Sequence, residues 1–176
     1  MGKFEQILID IIQEQQIKLG YMKETLRLYF PISSLGYLLE LDITDEKAVV
    51  DQKLTNELSR IKPYFGDIRF TSKDNRYAII IPPEGSAYVY ENVGKNIFLE
   101  ELIQLFNSHQ VNIEKVRSLF NKFDPNYICE KSEDIEFDYL LSFTNNDKDN
   151  YYYCIKFDEG HGSYHRFNEH DIKDVL

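Results

Sequence analysis

Three of the chain's four histidines, His161, His165 and His170, fall in one short stretch, Asp158-Glu159-Gly160-His161-Gly162-Ser163-Tyr164-His165-Arg166-Phe167-Asn168-Glu169-His170-Asp171. Imidazole and carboxylate are the usual ligands of zinc and its neighbours. His161 and His165 have the spacing that pairs two ligands on one helix face. Gly160 and Gly162 argue instead for a loop feeding a strand. The two rings would then stand four strand residues apart, too far to share an ion unless the loop folds back. The stretch is therefore expected to form an exposed hairpin tip, with His170 in the first turn of a last helix. A metal site remains the alternative, and it requires at least two of these histidines to converge on one point.

The chain has 13 tyrosines and no tryptophan. Tyr151-Tyr152-Tyr153 sends rings to both faces of a strand. Tyr151 and Tyr153, with Tyr164 beyond the next turn, are candidates for a binding surface, because tyrosine is large, amphipathic and poor in rotamer entropy. The competing reading is a half-buried sheet tiled by a residue of high strand propensity. Arg27 lies between two leucines in Lys23-Glu24-Thr25-Leu26-Arg27-Leu28-Tyr29-Phe30. If that segment is a strand, Arg27 shares a face with Thr25 and Tyr29 and could serve an anionic ligand. Otherwise it pairs with a nearby acid.

Carboxylates cluster at Glu130, Glu133, Asp134, Glu136 and Asp138, and again at Asp147 and Asp149. Paired carboxylates do acid–base work only where their environments split their pKa values, so solvated turns are the expectation. Asn145-Asn146-Asp147-Lys148-Asp149-Asn150 lacks the glycine and glutamate of a calcium loop. The sequence contains no GxGxxG, phosphate-binding loop, GxSxG or HExxH motif. No cofactor is indicated.

The chain has 176 residues with a net charge of −10, from 20 basic and 30 acidic side chains. At that length it buries enough surface to fold as one domain without disulfides or a structural metal. The acidity argues against nucleic acid, which is bound by cations that displace counterions, and against anionic membranes. It suits a basic protein partner. Cys129 and Cys154, with no CxxC, read as small buried hydrophobes in a reducing, cytoplasmic setting, with a single bridge between them left open. No leader is expected from the charged N-terminal helix.

Stepping from these residues to their supports, Phe4, Ile7, Leu8, Ile11, Ile12 and Leu19 predict a helix closing at Gly20. Residues 21–30 read as strand or helix. Ser33 or Ser34 is expected to cap a short helix through Leu41, and Thr44-Asp45-Glu46 to open another, stopped by Pro63. Strands are expected at Ile68–Ser72, Arg76–Ile81 and Ser86–Glu91. Asn96 should cap a helix over Ile97–Asn107, apolar nearly all round, and a second helix ends before Pro125. Strands follow at Tyr127–Glu130, Phe137–Thr144, Tyr151–Asp158 and Tyr164–Phe167, and Asn168 caps a last turn. The result is an α+β domain over 1–176. Its first 62 residues are helical, and residues 63–176 form an antiparallel sheet of about five to seven strands backed by helices. Phe70–Ile80 and Phe143–Ile155 each read as strand, turn and strand, followed by Glu-Gly, a strand and a helix. That pattern raises a duplication of ββ(β)α units.

The segments Gln16-Ile17-Lys18-Leu19-Gly20-Tyr21, Lys23 to Pro31 and Ser33-Ser34-Leu35, with Ile80-Ile81-Pro82-Pro83-Glu84-Gly85-Ser86, resemble a family of small bacterial proteins classed only as a domain of unknown function. The resemblance implies a bacterial cytosolic setting and no activity, and it assigns no residue a role. The functional expectation is a non-enzymatic protein-binding module, in one version an immunity protein that neutralises a basic toxin. The alternatives are a small-molecule or metal-dependent enzyme built on His161, His165 and His170, and a self-associating regulatory or assembly domain.

Overall fold

The structure, a computed structural model, describes residues 1–41, 46–133, 135–145 and 149–175. The chain divides into two compact units, Met1–Lys95 and Asn96–Leu176.

In the first unit, helix α1 (Lys3–Leu19) buries Phe4, Leu8, Ile9 and Ile12, the three- and four-residue spacing of an amphipathic stripe. It stops at Gly20, whose φ of +82° favours glycine. The ambiguous segment is strand β1 (Leu26–Pro31). Its burial alternates strictly: Leu26, Leu28 and Phe30 are buried while Arg27, Tyr29 and Pro31 are exposed. Helix α2 (Ile32–Leu38) follows directly. Neither Ser33 nor Ser34 caps it, because the helix begins one residue earlier, after Pro31.

Helix α3 (Lys47–Phe65) buries the expected face of Val50, Leu54, Leu58 and Ile61. Thr44 and Asp45 lie outside the described residues. The helix does not stop at Pro63 but runs through it to Phe65. In a last turn the missing N–H and the ring cost little further helix, and Phe65, fully buried, rewards the extension.

Strands β2 (Arg69–Lys73) and β3 (Arg76–Ile81) form a hairpin about Asp74-Asn75. The sheet order is β1-β3-β2, all antiparallel, with β3 central. The third expected strand is instead helix α4 (Pro83–Asn92). Pro83 opens it at a position that tolerates the lost donor, and Gly85, Ser86 and Val89 are its buried residues.

In the second unit, α5 (Ile97–Asn107) is capped by Asn96, whose Oδ1 accepts from Leu99 N at 2.9 Å. Its burial is one-sided: Phe98, Leu99, Leu102 and Ile103 face inward, whereas Ile97 is exposed. Helix α6 (Ile113–Phe123) precedes β4 (Ile128–Lys131), β5 (Tyr139–Ser142), β6 (Tyr152–Asp158) and β7 (His161–Phe167), a meander in the order β4-β5-β6-β7. Phe98 lies at the centre of an aromatic core, its ring 5.0 Å from Phe120, 4.8 Å from Phe143 and 5.5 Å from Tyr153. Asn168 holds the final 3-10 turn, its Oδ1 accepting from the backbone N–H groups of His170 and Asp171.

The fold is thus α+β, with seven strands among the described residues divided between two sheets. The two strand–turn–strand runs diverge where the ββ(β)α comparison needs them to agree. Glu84-Gly85 lies in the first turn of a helix, whereas Glu159-Gly160 is the turn between β6 and β7.

Candidate functional site

The first sheet buries one face and leaves the other open. Leu26, Leu28, Phe30, Tyr77, Ile79 and Ile81 line the buried face. Because strand side chains alternate, everything between them points the other way. The register sets these residues in three rows across β1, β3 and β2: Arg27–Ile80–Arg69, Tyr29–Ala78–Thr71 and Pro31–Arg76–Lys73. Ala78 and Ile80 are half-buried, and the other seven are exposed. The face thus carries Arg27, Arg69, Lys73 and Arg76 and holds no carboxylate, histidine or cysteine.

Arg69 Nε lies 3.2 Å from Asp67 Oδ2, and Lys62 Nζ takes the other oxygen of Asp67 at 3.0 Å. Among the described residues, Arg27, Lys73 and Arg76 have no such carboxylate partner. Tyr29 is 69% exposed and stands beside the small Ala78. Guanidinium groups present rigid forks matched to carboxylate or phosphate, and an exposed ring offers a stacking surface. These groups can bind and orient an anion.

Arg27 and its shared face with Tyr29 were legible from the leucines on either side. Arg69, Lys73 and Arg76 carry no comparable local signal of a shared face with Arg27. The even spacing in Arg69-Phe70-Thr71-Ser72-Lys73 puts Arg69 and Lys73 on one face once the strand is granted, and Arg76 joins them only through its pairing with Lys73.

The other expected site residues are dispersed. Tyr153 is fully buried and donates its hydroxyl to Asp149 Oδ2 at 2.5 Å. Burial, then the Asp149 charge, pushes its pKa far up. Tyr151 is half-buried, with the Arg166 guanidinium 4.4 Å from its ring centre. Tyr164 is half-buried against Phe106, its ring centre 5.2 Å away. Tyr153 and Tyr164 thus point inward to one aromatic core and present no common surface.

His161 and His165 lie on one exposed side of β7, four residues apart in an extended strand. That is about 13 Å along the chain. His161 stands near His109, ring centres 5.9 Å apart, and His165 near Phe137. His170 Nδ1 lies 3.0 Å from Asp171 Oδ1. Among the described residues, no group of three or more His, Cys, Asp or Glu side chains could hold a metal ion.

Asp138 and Asp149, from the acidic stretches, accept backbone hydrogen bonds. Asp138 Oδ2 accepts from Phe157 N at 2.7 Å, and Asp149 Oδ1 accepts from Tyr151 N at 2.8 Å. Asp134 and Asp147 lie outside the described residues. Cys154 is buried and Cys129 half-buried, and among the described residues no disulfide joins them.

Charge is unevenly divided. Met1–Lys95 has 12 basic and 14 acidic side chains, and Asn96–Leu176 has 8 and 16, which places −2 on the first unit and −8 on the second. Among the described residues no helix is long and apolar enough to cross a membrane.

No curated protein and no solved structure matches the chain. A family match does cover the chain, from residue 1 to 176, and it agrees with the resemblance carried by Gln16–Tyr21, Lys23–Pro31 and Ile80–Ser86: the chain belongs to the bacterial family described as "Domain of unknown function, E. rectale Gene description (DUF3877)".

Proposed function

We propose that the chain is a non-enzymatic binding module that takes an anionic macromolecular partner on the open face of the β1-β3-β2 sheet. The observation that carries this reading is the concentration of Arg27, Arg69, Lys73 and Arg76 around an exposed Tyr29, of which only Arg69 is paired with a carboxylate, Asp67, among the described residues. A protein of net charge −10 that gathers four cations on one face has a local field opposite to its average. Such fields steer and select charged partners. Small-molecule sites are concave and largely enclosed, whereas this face is the surface of a sheet. A cleft elsewhere in the unit, lined by Gln15, Gln16, Gly20, Met22, Glu24, Leu26 and Ser86, has room for about one water.

Chromatography on immobilised poly-glutamate tests the reading. The wild-type chain is expected to be retained at low salt and released as salt rises, although its net charge is negative. The R27E/R76E double variant should pass through. A wild-type chain that fails to bind, or a double variant retained equally well, refutes it.

A second reading is supported by the −8 charge of Asn96–Leu176. Exposed Ile128 and Ile135, at 46% and 91%, lie close in sequence to Glu130, Glu133 and Glu136. Apolar side chains set among like charges suit a basic protein partner, as an immunity protein would have. Charge reversal at Glu130 and Glu136 should abolish capture of such a partner while leaving poly-glutamate retention intact.

A further inference from the structure

Resting on the basic-face reading above, we infer that the anionic partner is a single strand of nucleic acid laid across the open sheet face, with a base stacked on Tyr29 and phosphates at the flanking cations. The geometry supplies each element. Tyr29, Ala78 and Thr71 form the middle row, so beside the 69%-exposed ring the floor is an alanine and a threonine. On the side of its paired neighbour, Ala78, the ring has only a small side chain beside it, which leaves room for a base. The rows on either side, Arg27–Ile80–Arg69 and Pro31–Arg76–Lys73, are each displaced by two residues along the strands. That is about 7 Å from the aromatic row in either direction. A backbone crossing the face therefore meets guanidinium or ammonium groups before and after the ring. Aromatic platforms interleaved with cations are how proteins bind single strands without reading sequence.

An acidic peptide fits less well. Extended peptides pair through their backbone with a sheet edge, and here β1 and β2 are the edge strands, with N–H and C=O groups directed sideways. The face would contribute only charge to a peptide, and Tyr29 would have no counterpart. A duplex also fits poorly, because its bases are stacked inside and cannot reach the ring without being flipped out. The net charge of −10 is no bar at short range. Exposed charges more than about 8 Å away are largely screened at physiological salt, and the unit that carries the face is nearly neutral.

The magnitude follows from the charge count. Arg27, Lys73 and Arg76 are without a carboxylate partner among the described residues, and Arg69 shares Asp67. With three phosphates neutralised, the slope of log affinity against log salt is about −2 for a single strand. Affinity should then fall roughly 15- to 20-fold between 50 and 200 mM salt.

Fluorescence anisotropy with labelled ten-nucleotide single strands of RNA and DNA, and a duplex of the same length, tests this on the full chain. Single strands should bind with that salt dependence and the duplex more weakly. R27E/R76E should lose more than about tenfold. Y29A should lose roughly 5- to 150-fold, the range of one lost stacking contact, while Y29F, which keeps the ring, should bind as wild type does. Tyr29 is exposed, so neither substitution threatens the fold. Absence of single-strand binding at 50 mM salt, equal binding of the duplex, or a harmless Y29A overturns the inference. If single strands fail while poly-glutamate retention still depends on Arg27 and Arg76, the nucleic-acid inference falls and the basic-face reading stands. If both fail, both fall.

Discussion

Replacing Gly85 by alanine sets two opposed effects against each other at one atom. Gly85 lies in the first turn of α4, where alanine has an intrinsic advantage of up to about 1 kcal/mol over glycine. The added Cβ, however, would stand 2.7 Å from Ile81 Cγ2, 2.9 Å from Phe65 Cδ1 and 3.0 Å from the Phe65 carbonyl oxygen. Ile81 and Phe65 are both fully buried, and the carbonyl is backbone, so no rotamer change relieves all three contacts. Overpacking of a well-filled core costs about 1–3 kcal/mol. The clash should win, leaving Gly85→Ala less stable by up to about 2 kcal/mol once the alanine advantage is subtracted. Gly36 in α2 is the internal control. It too is a helical glycine, but a Cβ there meets nothing within 4 Å. Gly36→Ala should therefore gain about 0.5–1 kcal/mol. Urea unfolding followed by far-ultraviolet circular dichroism reads both as shifts of midpoint at constant slope. A Gly85→Ala midpoint at or above wild type, or a Gly36→Ala midpoint depressed as far, would refute the packing argument.

Two further outcomes follow from buried polar contacts. Glu5 is 4% exposed, accepts from the Tyr64 hydroxyl at 2.6 Å and has Arg60 Nη2 2.9 Å from its second oxygen. Burial alone would raise its pKa, but the Tyr64 hydrogen bond and Arg60 outweigh it and hold the carboxyl below its usual 4.5. Its stabilisation is therefore present above pH 4.5 and lost as pH falls through the depressed folded value. Tyr64 is pushed up to about 12 by burial and by Glu5, so its contribution is lost between pH 10 and 12. Glu5→Gln should flatten the acid limb of a melting temperature against pH profile, and an unchanged limb would exclude Glu5 as its source. Tyr77 is fully buried and donates to Asp51 Oδ1 at 2.7 Å. Tyr77→Phe keeps the ring and should cost about 0.5–1.5 kcal/mol in urea unfolding, whereas a loss above about 3 kcal/mol would mean that the substitution disturbs packing.

Much of the fold was legible because its signals are local. The stripe of α1, the alternation of β1, and the caps at Asn96 and Asn168 all lie within a turn or two of the residues they govern. Ser86–Glu91 misled because Tyr88 and Tyr90 mimic strand alternation. The Pro-Pro start and the close approach of Gly85 to Phe65 and Ile81 set the helix there. Pro63 misled in the opposite sense, since its position in the last turn was visible only once Phe65 was seen to be buried. The choice between a tyrosine surface and a half-buried sheet at Tyr151, Tyr153 and Tyr164 was open in the sequence, because composition alone does not say which side of a sheet faces a helix.

The sequence by itself determined most of the element types, the family, the overall acidity and, once Leu26–Pro31 is a strand, the place of Arg27 and Tyr29 on one face of it. Tertiary structure decided what stands beside them. Arg27 and Arg69 are 42 positions apart, and only the pairing of β1 and β2 on opposite sides of β3 sets them in one row across Ile80. That register comes with the other face, where Leu26, Leu28 and Phe30 are buried opposite Ile81, Ile79 and Tyr77. A slip of one residue would exchange the faces of a strand. The cations are thus gathered by apolar residues that never touch them.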